Sequence, residues 1–194
     1  MVIICTVGRC GSSVLMEYFT KLGLKTGKMT WHNAYEAGNE LPELVSANNY
    51  YRGNKIRGIK QDKKTKLKVK NVIADICKDP QFLAMPELIN YWWSIRKDIK
   101  IMFLTRDHSS IVKSGKRIPY MTAPVYRSHE DLIDKHEKKF IENIEELGIK
   151  YETLVFPDFT DSYTEVCAKF TKLGLKYHRE DIWDKVINKK KIHV

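Results

Sequence analysis

The sequence predicts an α/β domain in three layers, a mostly parallel sheet flanked by helices, and three observations predict it. Residues 2–7, Val-Ile-Ile-Cys-Thr-Val, form a continuous run rich in β-branched residues, the pattern of a strand buried on both faces. Comparable runs recur at 72–77, 99–105 and 151–156, and segments with helical apolar spacing separate them. Such alternation implies right-handed β-α-β crossovers, which bring the carboxyl ends of the strands to one rim where ligands collect. At 194 residues the chain can bury its own core, and 1–194 reads as a single domain.

The first strand stops at Gly8. Ser12 or Ser13 can cap the next helix, whose Val14, Leu15, Tyr18, Phe19 and Leu22 recur at helical spacing up to Gly23. From 25 to 54 the chain is polar, with Trp31, His32 and several tyrosines, and only 41–50 has a helical pattern; so long an irregular stretch generally borders a site. Residues 55–70 carry Lys55, Arg57, Lys60, Lys63, Lys64, Lys66, Lys68 and Lys70 against Asp62 and read as a solvated hairpin or loop. Lys78-Asp79-Pro80 then stops the second strand before a helix containing Leu83, Met85, Leu88, Ile89, Trp92 and Trp93. The third strand runs into Arg106-Asp107 and a helix over 109–116. Ser128 with Asp131 opens a long amphipathic helix, Leu132, Ile133, His136, Phe140, Ile144 and Leu147, that ends at Gly148. The fourth strand precedes a helix over 160–173 that stops at Gly174, and the tail is basic, Lys189 to Lys191. No internal repeat is present.

Composition bounds the chemistry. With 43% hydrophobic and 30% charged residues, neither a disordered nor a fibrous chain is consistent. Lys and Arg outnumber Asp and Glu by 34 to 24, and the net charge of +10 favours anionic ligands without choosing among nucleic acid, polyanionic sugar and nucleotide. No apolar run nears the roughly 20 residues that span a bilayer, and no basic leader precedes Val2, so a cytoplasmic protein without a membrane partner is expected. The cysteines at 5, 10, 77 and 167 form no C-x-x-C pair and have no histidine at zinc spacing, which predicts reduced thiols and no metal.

Two turns carry chemistry. Gly8-Arg9-Cys10-Gly11-Ser12-Ser13 follows a strand and opens a helix, so backbone N–H groups, the helix dipole, two hydroxyls and Arg9 converge where an anion can bind. It is not a Walker loop, because Ser12 stands where Lys should follow the second glycine and the glycines are too close. A tyrosine-phosphatase loop is excluded too: Gly11 follows Cys5, and Met16 follows Cys10, at the spacing that chemistry gives to Arg. In the second turn Arg106 leaves a strand end, and Ser114, two helical turns on, returns over the same rim. Arg supplies a planar fork matched to phosphate, where Lys would supply a point charge.

This combination resembles the sulfotransferases that use 3′-phosphoadenosine-5′-phosphosulfate. Residues 8–13 are similar to that family's 5′-phosphosulfate loop, and Arg106-Asp107 with Ser114 to its 3′-phosphate motif. Lys78-Asp79-Pro80 with Trp92 resembles the Lys-Asp-Pro strand end of many bacterial members, and Tyr151-Glu152-Thr153-Leu154 their Tyr-Glu-x-Leu strand. The resemblance covers roughly 1–24, 72–117 and 150–175, and it implies a P-loop NTPase-like sheet. It further implies that Gly8, Arg9, Cys10, Gly11, Ser12 and Ser13 hold the 5′-phosphosulfate, that Arg9 compensates charge on the departing phosphate, and that Arg106 and Ser114 hold the 3′-phosphate. The donor is then a co-substrate, the acceptor a hydroxyl of a carbohydrate or small molecule, and no metal is required. Sulfuryl transfer to a hydroxyl needs a general base. Glu36 is the first choice and His32 the second, with Glu40 and Asp79 open; Lys78, or Lys60 in its place, would contact the transferring group.

The chain departs from the family in lacking a C-terminal Arg-Lys-Gly segment, for which Tyr51-Arg52-Gly53 and Lys189 to Lys191 are poor substitutes, so the adenosine-side contacts stay open. It is also short for the family, leaving the acceptor pocket open or completed by a second copy in a homodimer. Two alternative readings stand beside this one: a nucleic-acid-binding module that uses 55–70 with Tyr50, Tyr51 and Trp31 for stacking, and an atypical nucleotide kinase.

Overall fold

The computed structural model describes residues 1–26, 30–33, 36–38, 69–78, 81–84, 86–116 and 129–187, with backbone alone for 30–33, 36–38, 81, 84 and 116. Four strands, β1 (Val2–Cys5), β4 (Ile76–Lys78), β5 (Lys100–Arg106) and β6 (Tyr151–Phe156), pair in parallel in the order β4-β1-β5-β6. An antiparallel pair, β2 (Thr30–Asn33) and β3 (Glu36–Gly38), stands apart from them. All four residues of β1 are buried, as its unbroken apolar run requires. From β1 the chain returns to the sheet on one side, at β4, and from β5 it returns on the other, at β6. The carboxyl ends of β1 and β5 therefore flank the point where the connections diverge, the place where open α/β sheets bind ligands.

Helices cover both faces. On one, α1 (Ser12–Lys21) packs with α6 (Tyr163–Lys172) and α7 (Glu180–Val186) through a knot of aromatic rings: Phe19 to Phe170 at 4.9 Å and Tyr18 to Trp183 at 5.1 Å between centroids. Each such ring hides roughly 150–250 Å² from water, so this cluster is a main source of the domain's cohesion. On the other face α2 (Gln81–Ala84), α3 (Glu87–Ile95), α4 (His108–Lys116) and α5 (Glu130–Glu146) pack together, with Phe103 of β5 against Phe140 of α5 and Phe82 edge-on to Trp92. The three layers agree with the fold class read from the sequence. Along edge strand β6, Lys169 donates to the Thr153 carbonyl at 2.6 Å, which blunts that edge.

Several boundaries differ from the sequence reading. The run 72–77 pairs only from Ile76, and Ile73 is 76% exposed. The Asp75 side chain and N–H bond the backbone of Lys25, while its carbonyl accepts from the Val2 N–H at 2.9 Å, where the chain joins β1. The helix after Pro80 is two pieces on either side of residues 85–86, and the one expected over 160–173 starts at Tyr163, behind a 3₁₀ turn, Asp158–Thr160, that follows Pro157. Residue 11, not Ser12 or Ser13, is the N-cap of α1, and the pair β2–β3 replaces part of the stretch expected to be irregular. Helix α7 has no counterpart in the sequence reading. The helix expected at 41–50, the basic segment over 55–68, Ser128 and the lysine tail lie outside the described residues. No helix among the described residues is long and apolar enough to cross a membrane, and the four cysteines are free thiols.

Candidate active site

The loop from β1 to α1 turns under tight constraint. Gly8, Arg9 and Gly11 all have positive φ, 92°, 63° and 76°, a conformation that costs a side-chain-bearing residue such as Arg9 about 1 kcal/mol or more. Strain of this kind persists where surrounding bonds impose it. Here the Thr6 hydroxyl accepts from the Gly8 N–H at 3.1 Å and the Cys10 thiol donates to the Gly8 carbonyl at 3.2 Å. Gly11 has no side chain with which to cap α1, and the first turn contains no acid. The opening N–H groups of a ten-residue helix thus meet no side-chain cap, with Ser12 and Ser13 as its first two residues, an arrangement suited to a phosphate or sulfate. Phe156 and Phe159 wall the loop: a Cβ on Gly11 would come within 2.6 Å of the first ring and 2.9 Å of the second.

Strand alternation sends the last two residues of β5 to opposite faces. Thr105 faces α5, where its hydroxyl meets Glu137, whereas Arg106 lies toward the loop, its guanidinium 5.0 Å from the Phe156 ring centroid and 3.4 Å from the Arg9 carbonyl. Arg106 is 8% exposed, and no carboxylate among the described residues pairs with it. Asp107, beside it, is turned to α4, accepting from the Ser110 N–H at 2.8 Å and the Ser109 hydroxyl at 2.7 Å. These bonds, the serine hydroxyl's first, hold its carboxyl down at about 2. Ser114 lies farther along the same helix, and the Arg9 Nε donates to its hydroxyl at 2.9 Å. The two motifs, a hundred residues apart in sequence, are in direct contact.

Lys78 ends β4, partly buried and paired with Ile4, so it stands on the same rim beside β1. His32 falls in β2, where the pairing register shifts between Trp31 and Asn33, and Glu36 opens β3, which packs on α1. Glu40, Lys60 and Asp79 lie outside the described residues. Tyr151 is at the far end of its strand: it pairs with Ile101, and the rim pair is Arg106 with Phe156. Five residues of strand put Tyr151 roughly 16 Å from the site, where its hydroxyl donates to Glu145. Trp92 is wholly buried in the core. An open groove of about 430 Å³ between α6 and α7 is lined by Asp161, Glu180 and Asp184, whose charges would repel a phosphate.

Phe156, Phe159 and Glu137 escaped the sequence reading. The rings are ordinary core residues until the loop is folded onto them. Glu137 did leave a signal, since it lies four residues after Ile133 and three before Phe140 on the buried stripe of α5.

No family model matches the sequence, and no curated protein matches it significantly. Solved structures do match. A sulfotransferase domain from the curacin biosynthetic pathway superposes with a TM-score of 0.56 at 11% identity, covering 94% of this chain and 76% of that one. A sulfotransferase domain from the Synechococcus PCC 7002 olefin synthase gives 0.57 at 12%, covering 96% and 76%. At such identities the likeness speaks to architecture, and with the parallel sheet and its loop-bearing rim it establishes that this chain has the sulfotransferase fold.

Proposed function

We propose that this protein is a sulfotransferase whose donor is 3′-phosphoadenosine-5′-phosphosulfate and whose acceptor is a hydroxyl of a carbohydrate or other small molecule. The observation that carries the proposal is Arg106, a buried guanidinium without a carboxylate partner among the described residues, one contact away from the uncapped start of α1. A buried cation left uncompensated is costly, and an anionic ligand would offset that cost. Two anion-ready positions on one rim suit an adenosine phosphorylated at both its 3′ and 5′ positions better than ATP, which has no 3′-phosphate. The sulfotransferase fold supports the same reading.

The residues present fit such a donor. Guanidinium, hydroxyl and N–H groups are all hydrogen-bond donors, and the rings beside Gly11 keep a side chain out of that position of the loop. Gly8, Arg9, Cys10, Gly11, Ser12 and Ser13 would hold the 5′ end, and Arg106 with Ser114 the 3′-phosphate. When bound, the donor supplies a sulfuryl group: the sulfur–oxygen bond to the 5′-phosphate breaks as a bond from the acceptor oxygen forms, the acceptor proton passes to the base, and 3′-phosphoadenosine 5′-phosphate leaves. Arg9, which donates to Ser114 between the two motifs, would balance charge on that phosphate. Lys78, on the neighbouring strand end, would steady the transferring group.

Glu36, and after it His32, would take the acceptor proton. Glu36→Gln is expected to lower kcat at least about 100-fold with donor affinity retained; equal loss of turnover and affinity would assign Glu36 a structural part instead.

The proposal is tested by thermal shift with 3′-phosphoadenosine 5′-phosphate, ADP and ATP. At a hundred times its dissociation constant a ligand of the folded state adds about 2.7 kcal/mol, so the 3′-phosphorylated nucleotide should raise the midpoint well above the other two. Equal shifts from all three, or none, would overturn the donor assignment.

A further inference from the structure

Glu137 is a carboxylate where packing alone calls for a hydrocarbon. It sits on the stripe of α5 that buries Ile133, Phe140 and Ile144, and it is 9% exposed. Burial pushes its proton affinity up, and contacts from His108 and Thr105 oppose that push. The Thr105 hydroxyl reaches both carboxylate oxygens, at 2.9 and 3.1 Å, and His108 Nε2 lies 3.1 Å from one of them. Thr105 is the penultimate residue of β5 and His108 the first of α4, so one carboxylate ties a strand end to a helix start, and only Arg106 and Asp107 lie between. Asp107 is in turn fixed to Ser109 and Ser110. Arg106 thus leaves a junction held from the opposite face of the sheet.

We infer that Glu137 is a positioning residue for the 3′-phosphate end of the site, gripping Thr105 and His108 so that the β5–α4 junction presents Arg106 and Ser114 in fixed register. This rests on the donor reading above. A side chain serving only the core could be replaced by leucine with no change in nucleotide preference, whatever stability is lost when Thr105 and His108 are left without their acceptor. A side chain that sets the junction cannot be, because the displacement reaches a guanidinium whose bidentate geometry is demanding.

Selectivity separates the two cases. The affinities of 3′-phosphoadenosine 5′-phosphate and adenosine 5′-monophosphate are measured by titration calorimetry for the wild-type chain, Glu137→Leu, Glu137→Gln and His108→Ala. The wild type should prefer the 3′-phosphorylated ligand. Glu137→Leu should lose about tenfold or more of that preference while its affinity for the monophosphate stays within about twofold, and Glu137→Gln, which keeps an acceptor for Thr105, should recover part of it. His108→Ala, at a partly exposed position, should also lose preference. Folded Glu137→Leu and His108→Ala proteins with wild-type preference overturn the inference; should Glu137→Leu not fold, the Gln and His108 variants decide. A wild-type chain with no preference instead sinks the donor reading on which the inference stands.

Discussion

Arg106→Met is expected to weaken binding of 3′-phosphoadenosine 5′-phosphate roughly ten- to 150-fold, the loss of a charge-assisted contact worth about 1.5–3 kcal/mol. The same substitution should leave the melting temperature of the ligand-free protein unchanged or raise it. Met approximates the length of the arginine stem, gives up the guanidinium's position 5.0 Å from the Phe156 ring centroid, and removes a charge that is 8% exposed and unpaired by any carboxylate among the described residues. Exchanging a buried charge for hydrocarbon of similar volume is often neutral or stabilising, and sites that bind at the cost of stability behave in this way. Against this stands, among the described residues, one long hydrogen bond, the 3.4 Å donation from the guanidinium to the Arg9 carbonyl, which Met cannot make. Affinity and stability moving in opposite directions would mark Arg106 as a ligand-binding cation. A fall in both would make it a structural group, and calorimetry beside a melting curve distinguishes the outcomes.

The rim was legible because its signals are local. A β-branched run, a glycine turn and two serines before a helical pattern lie within twenty residues, and the structure joins them as read, apart from the cap. The fourth strand matched residue for residue, since Tyr151 and Phe156 bound a run between a glycine-terminated helix and a proline. Residues 72–75 misled because three apolar residues in a row have no period to tell a paired strand from its approach: Ile73 faces outward, and Asp75, which breaks the run, bonds Lys25. The hydrogen bond of Arg9 with Ser114 spans 105 residues, and no pattern in one sequence announces such a pair. Tyr151 to Leu154 fall in a strand, as the resemblance implies, with Tyr151 at the end away from the rim.

Gly11→Ala should be strongly destabilising, and Gly23→Ala is its control. Both glycines have positive φ, 76° and 81°, so both alanines meet the left-handed penalty of about 1–2 kcal/mol. At Gly23 nothing lies within 4 Å of the added carbon, and the cost should stop there. At Gly11 the carbon would stand 2.6 Å from Phe156 and 2.9 Å from Phe159, rings held by the 6.4 Å packing of Phe159 on Trp183 and by Arg106 beside Phe156. Overpacking of this sort costs about 1–3 kcal/mol more. Chemical denaturation should therefore find Gly11→Ala less stable than Gly23→Ala by that margin. Nucleotide affinity should fall in the first variant alone, because the backbone that shifts to relieve the clash is the loop that opens α1, and Phe156 would carry the displacement to Arg106. Equal stabilities would mean that the rings yield freely and that the wall they form does not set the loop; equal affinities, with Gly11→Ala folded, would remove the loop from the binding site.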